Sequence, residues 1–458
     1  MVKQTERIGL CLSVVLLLCI CGPISAQDAR QAQWLETWAK AVERANSTFI
    51  QIPGPNPVLV RGPKGSWDSY KIEAGDIFKD HDTYYLYYHG QGSGRGWKVG
   101  VATANHPLGP WKKYEKNPIQ SFGPCPFVLK EKTNKFYMWF TGDSYKGGGV
   151  GLATASSPLG PWKEYEKNPV MKNFGYIGGV VKYQSKYYLY TAYPVGSTGS
   201  DYSPMALAIA DRPEGPYKEY EGNPILGQTP WGSWDDGGYS EGEVYLQDGI
   251  FHWFYGGAKL QPNRMQTRES IGYAYSFDGI HFTRHPRNPV AIREMVPDAG
   301  ALAEVHAYAE GPFIYLFHTL RYNNGEEDLG VQVLATQKPF KLRMPILIDD
   351  SIEPRQTTSL KKCVPLCLDS ITTLTLTGES TYGPQSSRPV LLHIKTSYDG
   401  FKYDTADMLS LEMSCAPGKT VRQTFEVKPN VKYIKVQMEN MDKSAAVSDV
   451  SVYATVGG

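Results

Sequence analysis

The chain has 458 residues, enough for two domains, and its 47 lysines and arginines against 46 aspartates and glutamates leave a formal net charge of +1. That balance excludes a partner reached by long-range charge steering, nucleic acid above all, and leaves only a local basic patch to meet a polyanion. Aromatic residues form 12% of the chain, a load that suits packed β structure rather than disorder.

At the start, Lys3 and Arg7 precede an apolar run from Ile8 to Ile20 and then Pro23, Ile24, Ser25 and Ala26. This is the layout of a cleaved signal peptide over residues 1–26, so the mature protein is expected to be secreted or periplasmic. No later stretch is long and apolar enough to span a bilayer. Within 27–54, Trp34, Leu35, Trp38 and Val42 fall at helical spacing, predicting a short N-terminal helix that either packs on the next domain or serves an oligomer contact. The oligomeric state is left open.

From 55 to 350 one unit recurs five times. An aromatic strand (Tyr84–Tyr88, Phe136–Phe140, Tyr187–Tyr190, Phe251–Tyr255, Phe313–Phe317) leads to a third strand such as Val99–Ala102 or Val150–Ala153, and a fourth closes at Asn117-Pro118, Asn168-Pro169, Asn223-Pro224 or Asn288-Pro289. Asn56-Pro57 opens the series, and Met344-Pro345 stands in for the fifth pair. Four short strands every 50 to 65 residues or so is the arithmetic of a β-propeller blade. The fold class is therefore all-β: a five-bladed β-propeller, with a β-sandwich or another closure as the competing reading.

After Pro345 this grammar stops. New strands around Thr372–Thr377, Val390–Thr396, Thr420–Val427, Tyr433–Gln437 and Val447–Ala454 predict a C-terminal β-sandwich over 359–458, either an accessory module or a buttress. Cys363, Cys367 and Cys415 lie there, and in an exported protein two of them are expected to pair.

Propeller sites are built where the first strands of the blades open onto the central channel. Blades one and four share a spacing: Gly65-Ser66-Trp67-Asp68 leads to Glu73-Ala74-Gly75-Asp76, and Gly232-Ser233-Trp234-Asp235 leads to Ser240-Glu241-Gly242-Glu243. Strand alternation then pairs Ala74 with Asp76, Cys125 with Phe127, Ile177 with Gly179, Glu241 with Glu243 and Glu304 with His306 on the channel side. Carboxylates crowded beside a histidine shift one another's pKa values, as acid/base chemistry requires. The same groups could instead bond neighbouring blades or hold a structural cation in the channel; no cofactor and no catalytic metal are called for. Trp67 and Trp234 could stack on a sugar, and Asp68 and Asp235 could reach the mouth, although inter-blade packing and turn capping account for their repetition.

Ser240-Glu241-Gly242 ahead of an aromatic strand resembles the Glu-Gly of the five-bladed glycoside hydrolases of family 43 and its relatives, over residues 55 to 346. The resemblance implies a general acid at Glu241, an Asp base on blade one and a second Asp on blade two. This sequence has Ala74 and Cys125 at those two positions. Asp76, and next to it Glu73, are the substitutes for the base, with Cys125 a small wall residue and Glu243 beside the substrate. His306, with Glu304, is similar to the acid-like histidine of the family 117 enzymes. What the resemblance implies is an exo-acting, inverting hydrolase of oligosaccharide or polysaccharide ends, on arabinofuranosides, xylosides or an anhydrogalactose. The alternative is a non-catalytic glycan-binding propeller. The turn Ser397–Phe401 and the strand Val431–Val436 add a faint similarity to discoidin-like carbohydrate-binding modules.

Overall fold

The computed structural model describes residues 48–458, apart from 95, 143–147, 173, 193–203, 260–267 and the side chain of Glu241, and in the N-terminal unit only Gln31, Leu35 and Ala39. Those three are helical and exposed. The expected signal peptide and the remaining positions of the expected helix, Trp34, Trp38 and Val42, lie outside the described residues.

The unit from Thr48 to Gly458 is built from antiparallel sheets. Five follow one another along the chain, with inner strands Lys71–Asp80, Phe127–Lys132, Ile177–Tyr183, Tyr239–Gln247 and Ala299–Glu310. Each inner strand touches the next, and the fifth touches the first, so the sheets close a ring. The apolar cores lie between sheets. Tyr87 and Val99 of the first pack with Val128 and Met138 of the second, and Tyr190 and Leu207 of the third with Val244 and Trp253 of the fourth. The aromatic strands are thus the filling between radial sheets, which explains why every unit repeats them.

The Asn-Pro pairs have a physical role. Asn117 Oδ1 accepts from the Val101 N–H (3.0 Å) while its Nδ2 donates to the Val101 carbonyl (2.9 Å), so a side chain replaces a missing strand partner on the third strand. Asn168 does the same to Leu152, Asn223 to Leu207 and Asn288 to Tyr273. The fifth sheet corrects the sequence reading. Asn56, not a residue near Met344, clamps Val331 through the same two bonds. Ile50–Pro53, expected as linker, pairs with Glu327–Ala335 as the fourth strand of the fifth sheet. The N-terminal end of the ring therefore closes onto its last sheet.

Lys341–Ile352, expected at the end of the propeller, belongs to the C-terminal region. It pairs with Val447–Gly457 in a sheet completed by Thr373–Tyr382 and Thr420–Val427. A second four-stranded sheet holds Leu366–Cys367, Tyr433–Asn440, Val390–Ser397 and Leu409–Glu412. One apolar cluster runs from Ile72 and Phe317 of the ring through Leu342 and Ile346 to Ile394 and Ile434. The expected disulfide is absent: Cys363, Cys367 and Cys415 are free thiols. Cys363 is buried, and its sulfur accepts the Val436 N–H at 3.1 Å. Among the described residues no helix is long and apolar enough to cross a membrane.

Candidate functional site

Strand alternation fails at the place where the channel residues sit. In four inner strands the pairing register slips by one residue there, between Ala74 and Ile77, Ile177 and Val180, Tyr239 and Gly242, and Ala303 and His306, whereas in Phe127–Lys132 it slips at the far end, between Lys130 and Lys132. A bulge of this kind re-aims the side chains on either side of it. Glu304 takes a positive φ of 46° within it, and Cys125 one of 53° ahead of the second inner strand. The side chains therefore separate into two layers.

The deeper layer brings together Asp76, Glu243 and His306, whose ligand atoms all lie within 4.8 Å of one another, each side chain buried. Asp76 accepts the Val128 N–H at 2.8 Å, and Glu243 accepts the Ala307 N–H at 3.1 Å and meets His306 Nδ1 at 3.2 Å. Each carboxylate thus ties its inner strand to that of the next sheet. Gly179 leaves the space: a Cβ there would stand 2.8 Å from the Val244 carbonyl. Burial pushes both carboxyls up to about 8, with the Glu243 charge adding to the effect on Asp76. Burial also drives the His306 imidazole down to about 4. That direction favours the neutral imidazole, which suits a ligand or hydrogen-bond partner more than a proton donor. His306 meets Glu243, while Glu304 meets Arg321 at 3.6 Å. Two carboxyls and an imidazole at this separation fit the ligand set of a hard or borderline divalent cation.

The shallower layer is an ionic cluster spanning three sheets. Glu73 accepts from Lys71 Nζ at 2.6 Å and meets His89 Nε2 at 2.9 Å; Lys71 continues to Glu327 at 3.6 Å and lies 4.4 Å from the centre of the Trp97 ring. Arg321 then joins Glu327 (2.7 Å), Glu304 (3.6 Å) and Glu269 of the fourth sheet (3.9 Å). Burial alone would raise the Glu73 carboxyl, but the His89 bond and charge and the Lys71 ammonium outweigh it and hold the group at about 2. Burial likewise opposes the Arg321 charge, and Glu304, Glu269 and Glu327 overcome that and raise it. Four carboxylates face two permanent cations here. The sequence pointed to Glu73 and Glu304 but missed Lys71, His89, Glu269, Arg321 and Glu327, which lie on second or third strands or outside the inner strand's bulge.

The remaining candidates are placed as follows. Glu241 sits in the bulge of the fourth inner strand, its side chain outside the described residues. Ala74 is fully buried, its N–H bonded to Thr319 Oγ1 at 2.9 Å, and Cys125 is buried, so neither position supplies a carboxylate. Trp67 stacks on Tyr88 (5.6 Å between ring centres, 23° between planes) and Trp234 on Tyr255 (6.1 Å, 27°). Asp68 is bound by Ser66 and Lys113, and Asp235 by Tyr255 and Arg284. Both pairs repeat the same internal brace, in which a fourth-strand cation meets the aspartate, and the substrate contact expected of them gives way to packing.

Residues 55–271 match the family model of the glycosyl hydrolases family 43. No curated protein matches the chain. Among solved structures, the complex of BT0996 with RGII aligns with a TM-score of 0.50 at 15% identity, covering 64% of this protein and 94% of that one, a likeness of fold. A thermostable family-43 glycoside hydrolase aligns at 0.44 and 19% (63% and 93% covered), and Zg3597, a family 117 glycoside hydrolase from the marine bacterium Zobellia galactanivorans, at 0.41 and 17% (64% and 92%). The family match and the likeness of fold to the BT0996 complex identify the ring of sheets as a propeller. The chain is similar to the glycosyl hydrolases of family 43, and its match over residues 55–271 supports a glycoside hydrolase activity.

Proposed function

We propose that the protein is an exported, exo-acting glycoside hydrolase that removes sugars from the ends of oligosaccharide or polysaccharide chains with inversion, on a five-bladed propeller followed by a C-terminal β-sandwich. The observation that carries this reading is the ionic cluster at the same end of the inner strands as Glu241, in which Glu73 is held ionised. Glu241 protonates the leaving oxygen, and Glu73 orients and deprotonates the attacking water from the first sheet. Glu73 takes this role in place of Asp76 because Asp76 is fully buried and its Oδ2 is engaged by the Val128 N–H. Lys71 and His89 fix the Glu73 carboxylate, and Arg321 fixes Glu304 and Glu269 around the same opening. The deeper triad of Asp76, Glu243 and His306 is a strand tie and the place for a structural cation; no step of hydrolysis passes through it.

A second reading, a glycan-binding propeller without turnover, is favoured by Ala74 and Cys125, which leave two positions without carboxylates. Incubation with a panel of plant and algal oligosaccharides separates the two. Release of a monosaccharide whose anomer, followed by proton NMR in the first minutes, is opposite to that of the substrate supports the inverting hydrolase. Retention on the glycan with no product supports the binder.

A further inference from the structure

A second cavity lies far from the channel, of ≈ 700 Å³, lined by Thr83, Asn105, His106, Lys112, Arg343 and Tyr453 among others. Thr83 and Lys112 lie on strands of the first sheet, Asn105 and His106 on the connection between its third and fourth strands, and Arg343 and Tyr453 come from paired strands of the C-terminal sheet, so neither half makes the cavity alone. Ligand sites favour such junctions, and this volume falls within the roughly 300–1,000 Å³ they usually occupy. Thr83 belongs to the hairpin at the far end of the strand that carries Glu73; at roughly 3.3 Å per residue, seven residues of strand put the cavity roughly 20 Å from the ionic cluster.

Its chemistry is one-sided. No aspartate or glutamate is among the lining residues. The Arg343 guanidinium lies 4.0 Å from the centre of the Tyr453 ring, which fixes its plane and leaves its edge nitrogens for a ligand. Arg343 and Lys112 are exposed, and neither has a carboxylate partner among the described ion pairs. The His106 imidazole is lowered first by burial and then by the Arg343 charge, so that charge is felt inside the cavity. The nearest carboxylate acting on His106, Glu310, is already held by Lys79 (2.7 Å) and Tyr84 (2.6 Å). Thr83, Thr103 and Asn105 add uncharged hydrogen-bonding groups for hydroxyls.

We infer that this junction cavity is a secondary binding site for an acidic glycan, in which Arg343 and Lys112 hold a carboxylate or sulfate ester and the threonines and Asn105 hold sugar hydroxyls. The saccharide part rests on the hydrolase reading above; the anionic part rests on the cavity alone. Such a site would keep the enzyme on a charged polysaccharide while the channel works on chain ends, an avidity gain that needs no change in the catalytic groups.

The test is calorimetric titration of the full chain with trigalacturonate, with a sulfated galactan trisaccharide, with neutral galactotriose and with inorganic sulfate. At least one acidic trisaccharide is expected to bind tenfold or more tightly than the neutral one, and raised salt to weaken it. Losing a charged hydrogen-bond donor is worth about 1.5–3 kcal/mol, so Arg343→Gln with Lys112→Gln is expected to weaken it by about tenfold or more. Release of product from a neutral chromogenic glycoside should be unchanged in this variant. Equal affinity for acidic and neutral trisaccharides, or an unaffected double variant, overturns the inference. Inorganic sulfate binding as tightly as the acidic trisaccharides overturns its glycan part. Absence of product from the wild-type protein with the charge-dependent affinity intact counts against the hydrolase reading alone.

Discussion

Glu73→Gln separates the catalytic from the structural role of the mouth cluster. The folded carboxyl sits at about 2 against an ordinary 4.5, which is worth roughly 3 kcal/mol. Because the folded value is the lower one, this stability is present above pH 4.5 and is lost as the pH falls towards 2. Its side chain is 12% exposed, so little of it is screened by solvent, but Lys71 keeps Glu327 at 3.6 Å after the substitution. The expected loss at pH 7 is therefore about 2–3 kcal/mol, which for the 411 residues from Thr48 to Gly458 is about 2–3 °C in Tm. If Glu73 is the base, kcat falls by about 100-fold or more at 25 °C, where the variant is still folded. Calorimetry at pH 7 and at pH 3, with initial rates on an oligosaccharide the wild type hydrolyses, reads both quantities. A variant with the Tm loss and an undiminished kcat refutes Glu73 as base and leaves it a brace for Lys71 and His89. The reverse result, lost kcat with wild-type Tm, refutes the electrostatic account of the cluster.

Glu241→Gln is expected to lower kcat by about 100-fold or more while leaving retention on glycan affinity gels intact, because it removes the transferable proton and keeps the shape. Asp76→Asn should leave kcat within a few-fold of wild type; a millimolar divalent cation is expected to raise the wild-type Tm, with EDTA reversing it, and Asp76→Asn and Glu243→Gln to abolish the rise. Asn223→Ala removes both bonds to Leu207 and leaves a backbone pair without its partner, an expected cost of about 1–3 kcal/mol by urea unfolding. Truncation after Asp350 leaves most of the strand Lys341–Ile352 without Val447–Gly457, and the fragment is expected to aggregate on size exclusion, whereas a C-terminal region independent of the propeller would leave it monomodal and soluble.

The parts of the fold visible in the sequence are those that a repeated physical need writes at a fixed interval. Each unit needs large rings between sheets and a group to cap its third strand, so aromatic runs and Asn-Pro pairs recur, and the propeller and most C-terminal strands can be read from them. The closing strand Ile50–Pro53 has no such mark. It is four residues long, its partner strand Glu327–Ala335 lies at the other end of the ring's sequence, and only the orphaned clamp of Asn56 on Val331 would have shown that the fifth sheet is completed from there. The site was harder for a related reason. Counting by two along an inner strand assumes an unbroken pleat, and one extra residue in each bulge sends Asp76, Glu243 and His306 inward while Glu73 and Glu304 stay at the opening. Arg321 and Lys71 could not be found by any count, because what makes them part of the site is the meeting of three sheets.

That division into layers also bears on how this propeller can lack the two expected aspartates. Ala74 and Cys125 are both buried and small, and the Ala74 N–H is bonded to Thr319, so the wall survives without a carboxylate at either position. Glu73, one residue before Ala74 and the base on the reading proposed above, stays at the same end of the inner strand but turns toward the fifth sheet, where Lys71 reaches Glu327 and Arg321 gathers Glu304 and Glu269. The cost of crowding four carboxylates at this opening is offset by Arg321 and Lys71. Had Glu73 been a surface residue of the strand, nothing in the folding of the first sheet would require Lys71 and His89 to close on it from both sides. Their joint hold, with Trp97 beneath Lys71, is the arrangement expected where a single carboxylate must keep one orientation against an incoming water.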